Sequence, residues 1–140
     1  MQPELRVRRA RRDDFERVQA LLGIAAPATR AARKRFRRLV STLREDCYLA
    51  EGDDGALLAG VAVIAYTRGL GPATAVVRSL HGSGDAAALL LACACRRAVA
   101  RGCTRLEVRL EPNAGPALAE TLQRDGWTDG GRILQRAVLP

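Results

Sequence analysis

Residues 73–106 decide the fold. They read Ala73-Thr-Ala-Val-Val-Arg-Ser-Leu80, then His81-Gly-Ser-Gly-Asp-Ala-Ala87, then a run that stays apolar to Cys95, and finally Gly102-Cys-Thr-Arg-Leu106. The spacing predicts a strand, a glycine-rich turn, a helix over about Asp85–Arg101, a glycine stop and a second strand. The predicted core stripe of the helix is Ala87, Leu90, Leu91, Ala94 and Ala98, and Gly102 sits at the left-handed position that ends helices. A βαβ unit of this kind brings the unpaired N–H groups of a helix start to the rim of a sheet, where anions are commonly held.

The rest of the chain supplies the partners for that unit. Leu5–Arg9 alternates apolar and basic residues as a half-buried strand does. Asp13 or Asp14 then caps a helix that buries Phe15, Val18, Leu21 and Leu22, and Gly23 ends it. Thr29 is placed to cap a second helix, about Arg30–Leu43, with Ala32, Phe36, Leu39, Val40 and Leu43 along one face. Cys47–Glu51 and Ala56–Thr67 are two strands joined by Gly52-Asp-Asp-Gly55, a hairpin signal. Gly60, inside the second of them, predicts a bulge or a close backbone approach. Thr104–Glu111 alternates strictly, Pro116 opens a last helix that turns Leu118 and Leu122 inward, and Arg132–Leu139 is read as a final strand. The order is βααβββαβαβ, an α/β (α+β) arrangement with a central twisted mixed sheet and helices on both faces.

With 140 residues the chain is expected to be one domain, 1–140, large enough to bury roughly two-thirds of its unfolded surface. Apolar residues make up 48% and charged residues 27%, which excludes a disordered chain. No apolar leader stands at the N-terminus, and the longest apolar run, Ala86–Cys95, is ten residues, too short to span a bilayer. Cys47, Cys93, Cys95 and Cys103 lack metal-ligand spacing, so they are read as small buried side chains of a cytoplasmic protein and no metal site is expected. The net charge of +8 permits anionic partners without naming one. Seven cations fall within residues 30–44, among them Arg30, Arg33, Lys34, Arg37 and Arg38. They form either a solvated helix face or a docking surface for an acidic partner or nucleic acid, although aromatics for base stacking are missing.

Phrase by phrase, in order and spacing, the chain resembles the GNAT superfamily of acetyl-CoA-dependent N-acetyltransferases. Arg8–Phe15 resembles the family's opening strand and helix start, and Leu49-Ala-Glu-Gly-Asp-Asp-Gly-Ala-Leu-Leu-Ala-Gly60 its second hairpin. Leu90-Leu91, Ala98 and Arg101-Gly102 resemble the third helix and its ending, and Asp125-Gly126-Trp127 the Gly-Phe after the fourth. The resemblance implies acetyl-CoA as cofactor, with Val77, Gly82, Ser83, Gly84, Asp85, Ala86 and Ala87 as its binding residues. In the family a motif of Gln or Arg, two residues, Gly, one residue, then Gly or Ala wraps the pyrophosphate. Counted back from Gly102, that motif puts Gly82 at the leading Arg position and Asp85 at the middle Gly, leaving only Ala87 to match. Ala73 stands where many members carry a Glu base, and Leu122 where many carry a Tyr acid. His81, the only histidine, is the one candidate for the base.

These departures favour a GNAT-fold protein with weak or lost cofactor binding and catalysis, acting as a binding or regulatory module. A carboxylate at Asp85 capping the helix is expected to occupy the N–H groups a phosphate needs. The alternatives are an active N-acetyltransferase of a small-molecule or protein amine, using backbone contacts at 77–87, and a binder of nucleic acid or acidic protein through the 30–44 helix. Neither the acceptor amine nor the oligomeric state is legible in the sequence.

Overall fold

The computed structural model describes residues 4–23, 29–82, 84–110, 116–131 and 135–137. They fall into two compact units, 1–109 and 110–140. The first unit contains β1 (Leu5–Arg9), α1 (Phe15–Leu21), α2 (Arg30–Ser41), β2 (Glu45–Gly52), β3 (Leu58–Thr67), β4 (Thr74–Gly82), α3 (Asp85–Ala100) and β5 (Arg105–Val108). The second contains α4 (Pro116–Arg124). The strands stand in chain order, antiparallel from β1 to β4 and parallel between β4 and β5. The fold class and the element order match expectation as far as α4. The final strand does not form among the described residues: Gly131 and residues 135–137 lie in no regular element, and the remainder of 132–139 is outside them. No described helix is long and apolar enough to cross a membrane.

The period-two alternation of β2 and β3 makes the sheet two-faced. Cys47, Leu49 and Val61 turn to one side and pack with Phe15 and Val18 of α1 and Phe36 of α2. Ala50 and Ala62 turn to the other and pack under Ala86 and Leu90 of α3. The small residues on that second face let an almost uniformly apolar helix lie flat on the sheet. On α2, Thr29 caps as expected, its hydroxyl oxygen accepting from the Ala32 N–H at 3.0 Å.

Two clusters of buried charge tie the strands to the helices. Arg8 on β1 donates to both carboxylate oxygens of Asp14, at 2.9 and 2.7 Å, and through Nε to Glu51 on β2 at 2.7 Å. Arg17 reaches Glu51 at 3.3 Å and the carbonyl of Gly55 at 2.7 Å. Asp14 is therefore more than the helix-start residue read from sequence: it also accepts the Arg11 backbone N–H at 2.7 Å and anchors α1 to the sheet. Arg8 holds both carboxyls below the usual carboxylate range. Asp46, fully buried, accepts from Arg9 at 2.6 Å and from the Tyr66 hydroxyl at 2.6 Å. Arg101 lies over the Tyr66 ring at 4.4 Å and donates to the Leu43 carbonyl, so this residue of the Arg-Gly phrase is structural.

Gly60 shows both features expected of it. The β2–β3 register slips at Ala50/Glu51, which makes Ala59 the extra residue of a bulge. At Gly60 a Cβ would stand 2.8 Å from the His81 carbonyl oxygen and 3.0 Å from Leu90 Cδ1. Its partner across the ladder, Gly82, has φ +133°, and a Cβ there would stand 2.9 Å from the Ala59 carbonyl oxygen. The two glycines let the end of β4 and the start of α3 close onto β3. Gly60→Ala and Gly82→Ala are each expected to cost about 2 kcal/mol in urea unfolding. A loss below about 0.5 kcal/mol at both positions would show that this approach does not matter.

Candidate functional site

The candidate site lies in the first unit, where β4 and β5 part. Their pairing runs from Thr74 with Arg105 to Val77 with Val108 and stops there. β4 continues to Gly82, so from Arg78 onward its β5-side backbone has no strand partner among the described residues. The strand then turns into α3. Gly84, at φ +52°, is the N-cap, and no side chain caps this helix among the described residues. The first helical bond is from the Ala88 N–H to the Gly84 carbonyl, at 3.2 Å, which leaves the N–H groups of Asp85, Ala86 and Ala87 ahead of it.

This geometry corrects two readings of the turn. Asp85 is the first helical residue, not the cap; its side chain is exposed and does not occupy the helix-start N–H groups. Gly84 took the cap because glycine alone reaches this positive φ without strain. Gly82, counted as the slot of a long Arg, is a close-packed strand residue where even a Cβ is crowded. Ser83 lies outside the described residues. Val77 is buried and marks the last β4–β5 pair; Ala86 and Ala87 are buried at the start of α3.

A second bulge decides what faces the site. Val63 pairs with Ser79 and Ile64 with Val77, which makes Arg78 an extra residue of β4. Unbroken alternation would carry His81 to the same face as Val77. Across the bulge the faces exchange: Val76, Arg78, Ser79 and His81 line one cleft, whereas Leu80 packs with the α3-side cluster and Gly82 meets Ala86. Nothing in the local sequence marks this bulge, since Arg78 is an ordinary strand residue.

The cleft has a volume of about 610 Å³ and lies between β4 and the helices α1 and α2. Its floor is apolar, made by Phe15, Val18, Phe36, Leu39, Val61 and Val63. Its polar groups include Arg35, Arg78, Arg109, Glu45 and His81, with Arg78 donating to Glu45 at 2.6 Å. Cys47 also lines it, but burial pushes its thiol up to about 12, so it supplies almost no thiolate at neutral pH. His81 is the exposed imidazole of the cleft, suited to take a proton from a neutral amine, whereas the Glu45 carboxylate is engaged by Arg78.

Ala73 precedes β4, its carbonyl accepting from the Thr104 N–H at 3.0 Å, and Leu122 is buried in the second unit. On α2, Arg33 is ion-paired with Glu16 and stacked over Phe15 at 5.1 Å, while Arg30, Lys34, Arg37 and Arg38 are exposed. Of the cysteines, Cys47 and Cys93 are buried as expected, but Cys95 is exposed and Cys103 half-buried; all four are free thiols.

Neither a protein-family model nor a curated protein sequence matches the chain. Solved structures do. A transcriptional regulator from Bacillus halodurans C-125 superposes with a TM-score of 0.84 at 16% identity, over 96% of this chain and 100% of that one. Wild-type TTHA1254 from Thermus thermophilus gives 0.72 at 25% identity, over 96% and 98%. The aminoglycoside N-acetyltransferase AAC(6')-Iy, solved in complex with CoA, gives 0.78 at 12% identity, over 99% and 97%. The chain has the GNAT acetyltransferase fold. In this GNAT-fold chain the parting of β4 and β5, the turn into α3 and the cleft under α1 and α2 all meet at the far end of one strand.

Proposed function

We propose that this GNAT-fold chain is an acetyl-CoA-dependent N-acetyltransferase of reduced cofactor affinity, with His81 as the base. The observation that carries the reading is the start of α3, uncapped by any described side chain, beside the end of β4, which has no β5-side partner among the described residues. The backbone fits the cofactor even though the side-chain motif is degenerate. Three helix-start N–H groups suit a pyrophosphate, Gly84 has open space around it, and the edge of β4 past Val77, without a β5-side partner among the described residues, suits the amide-bearing arm of CoA. Departures at Gly82 and Asp85 do not remove any of these groups.

When bound, acetyl-CoA supplies an activated acyl group as a thioester, whose C–S bond breaks as the amine's C–N bond forms. His81 takes the proton the amine nitrogen loses and passes it to the departing thiolate or to solvent, so charge and protons balance. The apolar floor of the cleft orients the acceptor and keeps water from the reacting carbon. Free thiols and a CoA-dependent reaction support a cytoplasmic setting.

Asp85 explains the reduced affinity without abolishing it. Its exposed carboxylate adds one negative charge near the place of two more, an interaction of about 1 kcal/mol at a solvated helix start. Asp85→Asn is expected to tighten acetyl-CoA binding roughly five- to tenfold in calorimetry, the gain shrinking at high salt. Absence of binding at millimolar acetyl-CoA in both proteins would overturn the reading and favour a binding module that has lost the cofactor.

A further inference from the structure

We infer that the cleft between α1, α2 and β4 takes a carboxylate-bearing amine with an apolar body, such as an apolar α-amino acid, and rejects polycationic acceptors. The inference rests on the N-acetyltransferase reading for the amine, and on the cleft's own residues for the rest.

Three arginines, Arg35, Arg78 and Arg109, line the cleft against a single carboxylate among the described residues, Glu45. That carboxylate is taken up by Arg78 at 2.6 Å. Arg35 and Arg109 have no ion pair among the described residues, and both are exposed. A ligand carboxylate entering here meets two unneutralised guanidiniums, which suit it for paired N–H donation. An ammonium-rich ligand meets net positive charge and finds no free carboxylate among the described lining residues.

The floor sets the second requirement. Phe15 and Phe36 lie with ring centroids 5.5 Å apart, and Val61 and Val63 complete an apolar surface. Against this floor a sugar or a polyamine gives up hydration without gaining hydrogen bonds. An aromatic or branched aliphatic side chain gains by the transfer. His81 stands at the β4 end of the same cleft, so the acceptor amine belongs at that end and the apolar body toward α1 and α2.

The test compares three probes that share an amine: L-phenylalanine, 2-phenylethylamine, which lacks the carboxylate, and spermidine. Calorimetry without acetyl-CoA should show L-phenylalanine binding at least tenfold tighter than 2-phenylethylamine, with spermidine unbound. Arg35→Gln and Arg109→Gln should each weaken L-phenylalanine several-fold, and the double variant should erase its advantage without weakening 2-phenylethylamine. Equal or tighter binding of either the carboxylate-free or the polycationic probe would overturn the inference, as would binding by none of the three. The two readings fail separately. Spermidine acetylated with acetyl-CoA would leave the acetyltransferase standing and sink this ligand class. L-phenylalanine bound with the predicted arginine dependence, but never acetylated, would keep the ligand class and sink the acetyltransferase.

Discussion

Replacing Arg8 with methionine should destabilise the protein by about 3 kcal/mol, a fall in melting temperature of roughly 10 °C. Asp14 and Glu51 are 4% and 2% exposed, and among the described residues Arg8 is the one side chain that bonds both below 3 Å. Removing it strands two carboxylates where water does not reach. The cost stays near the lower end for a broken buried ion pair because Arg17 remains 3.4 Å from Asp14 and 3.3 Å from Glu51. Adding Glu51→Gln to the Arg8→Met variant should recover part of the loss, a coupling that separates charge from packing. If the single variant melts within about 2 °C of the parent, the cluster is not what holds α1 to the sheet.

The same cluster makes stability depend on pH in a stated direction. Arg8 holds both carboxyls below their ordinary range. The folded chain therefore keeps them ionised at pH values where the unfolded chain already takes up protons. The contribution is complete at neutral pH, begins to fade as pH nears about 4, and is gone once pH has fallen through the folded values. In Arg8→Met the decline of stability on acidification should be shallower.

What the sequence showed of this fold was what lies within one helical turn or one hairpin. The Thr29 cap, the stripe of α3 and the Gly52–Gly55 link are local signals, and each appears where its residues place it. Features that need two distant segments were hidden. Arg8 with Asp14 and Glu51 joins residues 43 apart, and charged residues in the chain do not announce which of them will be buried. The Asp85 cap failed for a smaller reason: Gly84, one residue earlier, could adopt the turn's positive φ and became the cap itself. The resemblance reached the right fold through spacing, which survives substitution. At the 82–87 turn side-chain identities say less, because the backbone N–H groups there do not change when side chains do.

His81→Gln should lower kcat/KM for the acceptor by about 10²- to 10⁴-fold while acetyl-CoA binding stays within about twofold. The sequence offered this histidine as the one candidate base, placed on the glycine-rich turn. The extra residue at Arg78 turns it into the cleft beside Ser79, and its ladder partner is Val61 on β3, a position held by backbone pairing. Its imidazole is exposed, so the substitution leaves the core and the Gly60–Gly82 approach untouched. Glutamine keeps the size and hydrogen-bonding of the side chain but cannot take a proton. A rate change under about threefold would mean that the fold transfers the acetyl group by positioning alone, and that the bulge at Arg78 serves the shape of the cleft without supplying its base.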